Sequence, residues 1–228
     1  MGYQDQGYGT VRSGLLNSAQ FVENALREMG VHTDLEVVID GNCIERELVK
    51  HKANVVILEA IGCPPAKLEE LSKLYPKVKW LVRVHSKTPF LANEGTAITW
   101  IKEYNKLPSV EIAFNNFHTY KDFLHIGIRC IYLPNIYKPA EHIPTPGILC
   151  KALEKDYLDV ACFGAVRPTK NHMNQALAAI QFADEEGKRL HFHINGSRVE
   201  QNGQGVLKNL RGLFEKHPKH KLVEMGWL

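Results

Sequence analysis

The chain of 228 residues is 44% hydrophobic and 23% charged, which is typical of a globular protein with one large domain or two small ones. It has no apolar run near the roughly 18 residues that a membrane-spanning helix needs, and its first residues lack the pattern of a secretory leader, so we expect a cytoplasmic protein. Lys and Arg number 28 against 25 Asp and Glu, and the net charge of +3 gives no independent support for nucleic-acid binding.

The cysteines favour a reducing compartment. There are five, an odd number, and no two form a Cys-x-x-Cys pair, which excludes zinc-ribbon and thioredoxin-type sites. Several lie in or beside apolar runs, where a reduced thiol behaves as a small hydrophobic group. They are Cys43, Cys63, Cys130, Cys150 and Cys162.

Helical and extended patterns alternate along the first part of the chain. Apolar residues at helical spacing end at Gly30, which is a C-cap signal. Because helices separate the apolar runs, we expect a parallel sheet with right-handed crossovers. Strands are predicted at 35–40, 53–60, 78–84, 110–114 and 128–133, the second of them buried on both faces, and helices at 15–29, 42–52, 64–75, 94–104 and 117–126.

A proline-rich stretch over 134–146 separates this unit from a shorter one. After a helical patch at 149–153, strands are predicted at 158–164, 190–196 and 221–227, with helices at 171–186 and 206–216. We therefore predict an α/β protein with two Rossmann-like units, an N-terminal domain over 1–135, a linker over 136–157 and a partial C-terminal domain over 158–228. Residues 1–12 predict a loop with no opening strand, and the small second unit is expected to need a partner surface or further residues.

The loop that follows the strand at 158–164 predicts an anion site. Gly164 is expected to end the strand, Arg167 and Lys170 bring two cations to the carboxyl rim of the sheet, and a helix begins near Asn171. The positive end of that helix would add attraction for a diphosphate. The alternative is that both cations are solvated loop charges and that Asn171 is only an N-cap.

The neighbouring strand brings further residues to the same rim. Asn195, Gly196 and Arg198 are predicted at its end, where Gly196 would allow close backbone approach. The alternative is an ordinary Asn-Gly turn. Together the two segments resemble the start of the C-terminal domain of retaining, glycogen-synthase-like GT-B glycosyltransferases. In that family a strand ending in Gly is followed by an Arg and a Lys that hold the diphosphate of the donor.

Short segments of the first unit resemble the same family, and the whole is similar to glycosyltransferases encoded by bacteriophages. Ser13 and Gly14 loosely match the glycine-rich loop that approaches the donor phosphates. A further segment departs from the family in having Ile136 and Tyr137 where Gly and an apolar residue are usual. The remaining matches are 132–137 to the exit from the N-terminal domain, 80–86 to a strand that ends in His near the acceptor, and 113–120 to the strand and helix after it.

The resemblance implies metal-independent transfer of a sugar from a nucleoside-diphosphate donor to an unknown acceptor, with DNA as one candidate acceptor. Arg167 and Lys170 would neutralise the leaving diphosphate, and His85 would contact a sugar or acceptor oxygen. The alternative for His85 is a backbone contact at the rim of the sheet. The acidic motif with which the family grips the donor sugar has no match, which implies a fragment, a subunit completed by another chain, or a non-catalytic nucleotide binder.

Other cofactor chemistry has little support in the sequence. Eleven histidines include His191 and His193 on one side of a strand, and His217 and His220 near the C-terminus, but neither pair has a third ligand at a suitable spacing. No HExxH, P-loop, GxSxG or GxGxxG pattern occurs in its required context. We therefore expect no metal and no cofactor, the nucleotide sugar being a substrate.

Overall fold

The computed structural model describes residues 14–137, 154–215 and 217–226. Two compact units divide the chain, Met1–Lys138 and Pro139–Leu228, and each is described here by itself. The predicted opening loop, Ser13, the helical patch at 149–153 and most of the predicted linker lie outside the described residues. The predicted boundaries at 135 and 158 stay predictions.

The first unit alternates helices with parallel strands. In its described part the sheet has the order β1–β2–β3–β4, and every neighbouring pair is parallel. The strands are β1 (Val55–Glu59), β2 (Lys79–Val84), β3 (Val110–Phe114) and β4 (Cys130–Tyr132). The helices are α1 (Gly14–Glu28), α2 (Gly41–His51), α3 (Pro65–Leu74), α4 (Thr88–Leu91), α5 (Ala97–Tyr104) and α6 (Phe117–His125).

The central strands of this sheet form its core because most of their side chains are apolar and buried. Val82 of β2 is fully buried and lies in register with Ile112 of β3. Helix α3 adds Leu68 and Leu71 from positions three residues apart, and both are fully buried. The carboxyl ends of these strands consequently lie at one edge of the sheet.

The predicted strand at 35–40 is wrong, because this segment forms no strand in the structure. Its polar side chains bind helix α2 instead. The Glu36 carboxylate accepts hydrogen bonds from Lys50 and His51, and Asp40 caps the helix by accepting from the backbone N–H of Asn42. These side-chain contacts hold the segment as a connection outside the sheet.

Two further expectations for the first unit need correction. Strand β1 is not buried on both faces, since it lies at the edge of the described sheet and Val55 is 55% exposed. The predicted helix at 94–104 begins only at Ala97, after the separate turn α4 that Pro89 opens. The other predicted helices and strands of this unit are confirmed to within a few residues.

The second unit has three parallel strands in its described part, in the order β5–β6–β7. They are β5 (Tyr157–Val166), β6 (Arg189–Val199) and β7 (His220–Glu224), and the helices are α7 (His172–Glu185) and α8 (Gln204–Glu215). Phe192 and Leu190 of β6 are fully buried against apolar side chains of both helices. None of the helices in the described part of the chain is long and apolar enough to cross a membrane.

Two strands extend beyond Gly164 and Gly196, where the prediction ends them, so Gly164 and Asn195 lie within the strands and not at their ends. Strand β5 continues past Gly164 to Val166, with an irregular register after Cys162, and β6 continues to Val199. Gly164 adopts a φ of +95°, which glycine tolerates. Its N–H donates to the Asn195 side-chain oxygen at 3.0 Å. At this bulge, a hydrogen bond to a side chain takes the place of a backbone hydrogen bond between the two strands.

Candidate functional site

A buried arginine organises the carboxyl edge of the first sheet. Arg83 of β2 is 1% exposed, and its Nη1 donates to Glu59 Oε1 at 3.0 Å and to Ser18 Oγ at 3.3 Å. Its Nη2 donates to the Pro134 carbonyl and to Asn135 Oδ1, both at 3.0 Å. One guanidinium therefore ties together α1, β1, β2 and the segment that follows β4.

His85 lies beside this network because it follows Arg83 by two residues and so points to the same side of the strand. Its Nε2 contacts the Glu59 carboxylate, and its Nδ1 lies 3.3 Å from Nδ2 of Asn115. With Asn115 donating to Nδ1, the neutral ring carries its proton on Nε2 and donates it to Glu59. A substrate hydroxyl would have to take the place of Asn115 at Nδ1.

The Glu59 carboxyl is held in its charged form. Burial by itself would raise its pKa, but the hydrogen bond from His85 and the charge and hydrogen bond of Arg83 together outweigh burial and lower the pKa below its usual range. Glu59 therefore balances the buried Arg83 and orients the ring of His85 at neutral pH.

Backbone strain accompanies this carboxylate. Ala60, immediately after Glu59, has a φ of +121°, a conformation that residues with a Cβ rarely adopt. Strain of this kind costs about 1–3 kcal/mol and is commonly found beside functional groups.

An open pocket of about 340 Å³ lies at this edge of the first sheet. This volume is near the lower end of the range for small-molecule sites, about 300–1,000 Å³. Its walls carry amide, imidazole, phenol and ammonium groups, a set suited to a ligand rich in hydroxyl groups. The lining residues are His85, Lys87, Asn115, Asn116, Pro134, Asn135 and Tyr137.

The predicted anion loop of the second unit has a tight local geometry. Residues Pro168–Lys170 form a single turn, Asn171 adopts a left-handed φ of 58°, and α7 begins at His172. A Cβ on Gly164 would lie 3.6 Å from Cε and Nζ of Lys170, so the ammonium group lies over the glycine of the bulge. Lys170 forms no ion pair with any residue in the described ranges.

Glu200 pairs with both arginines of this region. Its Oε2 lies 3.4 Å from Arg167 Nη1, and its Oε1 accepts from Arg198 Nε at 2.6 Å. The three side chains together carry a net charge of +1. The structure thus brings Arg167 and Arg198 together through a carboxylate that the sequence patterns did not single out.

The amino end of α7 lies close to both predicted cations. Asn171 precedes the helix but makes no side-chain capping bond. Burial lowers the pKa of His172, the backbone of Arg167 opposes this effect, and the charges of Lys170 and Arg167 lower the pKa further. His172 is therefore neutral at pH 7, and the positive charge of this region comes from the two cations and the helix dipole.

Asn195 and Gly196 have close partners within the second unit. Asn195 accepts from the Gly164 N–H and donates to the Gly226 carbonyl at 3.2 Å. A Cβ on Gly196 would come within 2.6 Å of Glu224 Oε2, and that carboxylate is held by two bonds of 2.7 Å from Arg211. Their role at a donor rim stays a prediction.

The predicted site residues thus fall into separate groups. Gly164, Lys170 and Asn195 lie together, His85 lies in the pocket of the first unit, and Gly14 begins α1 with open space around it. Sequence reasoning missed the partners of these residues, Arg83, Glu59, Asn115, Asn135 and Glu200. A lone arginine in an apolar strand, two residues before a histidine, was a signal that could have identified Arg83.

Comparison with known proteins found a similar fold among the solved structures. No protein-family model and no curated protein matches the chain. A solved crystal structure of a glycosyltransferase from Rickettsia africae ESF-5 is similar, with a TM-score of 0.53 over 94% of this chain at 13% sequence identity. The chain therefore shares its fold with that protein. It spans 66% of the length of that protein, and at this identity the likeness concerns the fold alone.

Proposed function

We propose that the protein is a glycosyltransferase of the GT-B retaining type that uses a nucleoside-diphosphate sugar without a metal ion. The fold shared with the Rickettsia glycosyltransferase and the two parallel sheets support this proposal. Nucleotide ligands of such sheets bind outside the carboxyl ends of the strands. Both candidate sites lie at such ends, each within its own unit.

The observation that carries the proposal is the position of Lys170. Its ammonium lies over a glycine, next to the amino end of a 14-residue helix, and forms no ion pair with any described residue. A diphosphate at this place would meet the ammonium, the N–H groups of the first turn and the positive helix end. Arg167 would add a second cation by exchanging part of its contact with Glu200 for the phosphate.

In the proposed reaction the bond between the anomeric carbon and the diphosphate oxygen breaks, and negative charge develops on the leaving group. Lys170 and Arg167 would stabilise that charge from fixed positions. The pocket of the first unit would supply hydrogen-bonding groups for sugar or acceptor hydroxyls, with Nδ1 of His85 as one acceptor. The acceptor hydroxyl oxygen would form the new bond to the anomeric carbon, and its proton would pass to an oxygen of the leaving diphosphate. DNA stays one candidate acceptor.

A second candidate function is nucleotide binding without turnover. It is favoured by two observations, the pairing of both arginines with Glu200 and the occupation of both ring nitrogens of His85. In this case the protein would act as a binder or as a subunit completed by another chain.

Titration calorimetry with UDP, GDP and dTDP tests the diphosphate site. Charge-assisted hydrogen bonds contribute about 1.5–3 kcal/mol each, so Lys170→Ala combined with Arg167→Ala should weaken binding by well over tenfold. Lys208→Ala, which removes an exposed lysine of α8, is the matched control and should leave the affinity unchanged. Equal affinity in the double variant and the control would place the diphosphate elsewhere.

Incubation with radiolabelled sugar donors separates the two candidate functions. A glycosyltransferase should release nucleoside diphosphate slowly even without its acceptor, and the double variant should abolish this release. Saturable binding with no release from any donor of the panel would favour the binder.

A further inference from the structure

The two faces of the second sheet differ in chemistry. Side chains alternate along strands, and the apolar set, including Leu158, Leu190 and Phe192, packs against α7 and α8. The opposite set includes Asp159 of β5 and two histidines of β6, His191 and His193, all partly exposed. One carboxylate and two imidazoles thus lie on the face of the sheet that these two helices do not cover.

The strand register supplies the third group that the sequence spacing lacks. Asp159 lies directly opposite His191 in the parallel pair, and His193 is two residues further along β6. Asp159 Oδ1 lies 3.4 Å from Nδ1 of His191 and 2.8 Å from Nε2 of His193. The three ligand atoms lie within 4.8 Å of one another.

These distances match the requirements of a metal site. Zinc binds histidine nitrogen and carboxylate oxygen at about 2.0–2.2 Å, so ligand atoms in a tetrahedral site are about 3.3 Å apart. The two measured separations, 3.4 and 2.8 Å, lie on either side of that value, and the two histidine nitrogens lie within 4.8 Å of each other. Two imidazoles and one carboxylate are also a donor set that zinc prefers.

We propose that Asp159, His191 and His193 form a Zn²⁺ site with three protein ligands and an open fourth position. Zinc takes the place of the hydrogen-bond proton on Nε2 of His193, and the neutral ring then carries its single proton on Nδ1. The site lies on the sheet face opposite the core of the second unit and is independent of the diphosphate site.

The surroundings of the cluster bear on the affinity. Asp159 Oδ1 already accepts from Nε2 of His193 at 2.8 Å, so a carboxylate oxygen and a histidine nitrogen face the position that the ion would take. The Tyr157 ring packs on His191 with ring centres 4.7 Å apart and limits its rotation. Lys155, over Tyr157, and Lys221, opposite His191, bring positive charge that weakens cation binding.

Two other clusters of similar composition serve as contrasts. In the group of Asp184, His217 and His220, the Lys219 ammonium donates to the carboxylate, and Nδ1 of His220 accepts the Leu190 N–H. In the group of Glu36, Glu47 and His51, Lys50 donates to both carboxylates. A lysine already donates to the carboxylates in each case, whereas no lysine donates to Asp159 among the described residues.

Titration of the full metal-free chain with Zn²⁺ and with Co²⁺ tests the proposal. We expect one Zn²⁺ per chain by calorimetry, and visible absorption bands of four-coordinate Co²⁺. His191→Gln and Asp159→Asn should each weaken Zn²⁺ binding at least about tenfold, because even groups that only orient a ligand contribute 10–100-fold to metal affinity. Both positions are partly exposed, and far-ultraviolet circular dichroism would verify that the variants fold.

Matched controls separate this site from other histidines. His118→Gln, at an exposed position of α6, and His217→Gln, in the contrasting cluster, should both retain the Zn²⁺ affinity and the Co²⁺ spectrum. Zinc binding that is absent from the natural chain, unchanged in His191→Gln and Asp159→Asn, or lost in His217→Gln would overturn the proposal.

Discussion

Replacement of Arg83 by Met tests whether the buried ion pair organises the first unit. The substitution keeps an unbranched apolar stem but removes the charge and all the donors. Glu59, whose side chain is 15% exposed, would keep only His85 as a partner, and the Pro134 carbonyl and Asn135 Oδ1 would each lose a hydrogen bond. The variant therefore leaves an uncompensated carboxylate in a largely dry place.

The expected loss is large. Removing one partner of a buried ion pair costs about 3–5 kcal/mol. In a protein of this size 1 kcal/mol corresponds to about 2–4 °C, so the melting temperature should fall by about 6–20 °C. Arg46→Met, which breaks a pair at an exposed arginine of α2, is the control and should change the melting temperature little.

Tryptophan fluorescence during thermal and urea unfolding measures this loss. Trp80 is buried on β2, the strand that carries Arg83, so its emission reports unfolding of the first unit. Adding Glu59→Gln to Arg83→Met should restore about 1–3 kcal/mol relative to the sum of the single effects, because the stranded charge is gone. A loss below about 1 kcal/mol, or strictly additive single effects, would refute the role assigned to the pair.

Three further predictions concern stability. Because the pKa of Glu59 is lowered in the folded chain, its contribution to the free energy of unfolding is complete above the unfolded pKa near 4.5 and is lost as the pH falls through the folded value. Urea unfolding between pH 7 and pH 3 should therefore show a weaker pH dependence of stability for Glu59→Gln than for the natural chain. A Cβ on Gly203 would lie 2.1 Å from the Val166 carbonyl oxygen, so Gly203→Ala should destabilise the second unit. Gly212 lies within α8 with open space around it, so Gly212→Ala should stabilise the unit by about 0.5–1 kcal/mol. Thermal melts measure both variants, and a more stable Gly203→Ala than Gly212→Ala would contradict this geometry. Ala60→Gly should raise the melting temperature by relieving the positive φ, and a lower melting temperature would show that Ala60 is not strained.

The order of helices and strands could be predicted because their signals are local. Strand β3 was predicted with its observed bounds, since a largely apolar run of five residues is too short for a typical helix and fits a buried strand. The strand predicted at 35–40 failed because the apolar pattern was outweighed by contacts of Glu36 and Asp40 with the helix α2 that follows in the chain. The hydrophobic pattern of a segment does not show whether strand pairing or side-chain hydrogen bonds to a neighbouring helix will be the more stable.

The candidate sites were predictable in part. Lys170, Arg167 and the start of α7 lie in one short segment, so their proximity follows from the chain itself. Glu200 was missed because it reaches Arg167 across 33 positions of sequence. Gly164 and Asn195 were expected at the ends of their strands, whereas both strands continue and the two residues join them at a bulge.

The amino-acid sequence alone determined the α/β class, the parallel alternation and the position of the cationic loop, because each depends on neighbours within about fifteen residues. Only the tertiary structure decided which charges meet. Arg83 reaches Glu59 across 24 positions, and Asp159 reaches His193 across 34, through strands that pair side by side. The physical reason is that strand register sets the distance between side chains on adjacent strands, and register is a property of the assembled sheet.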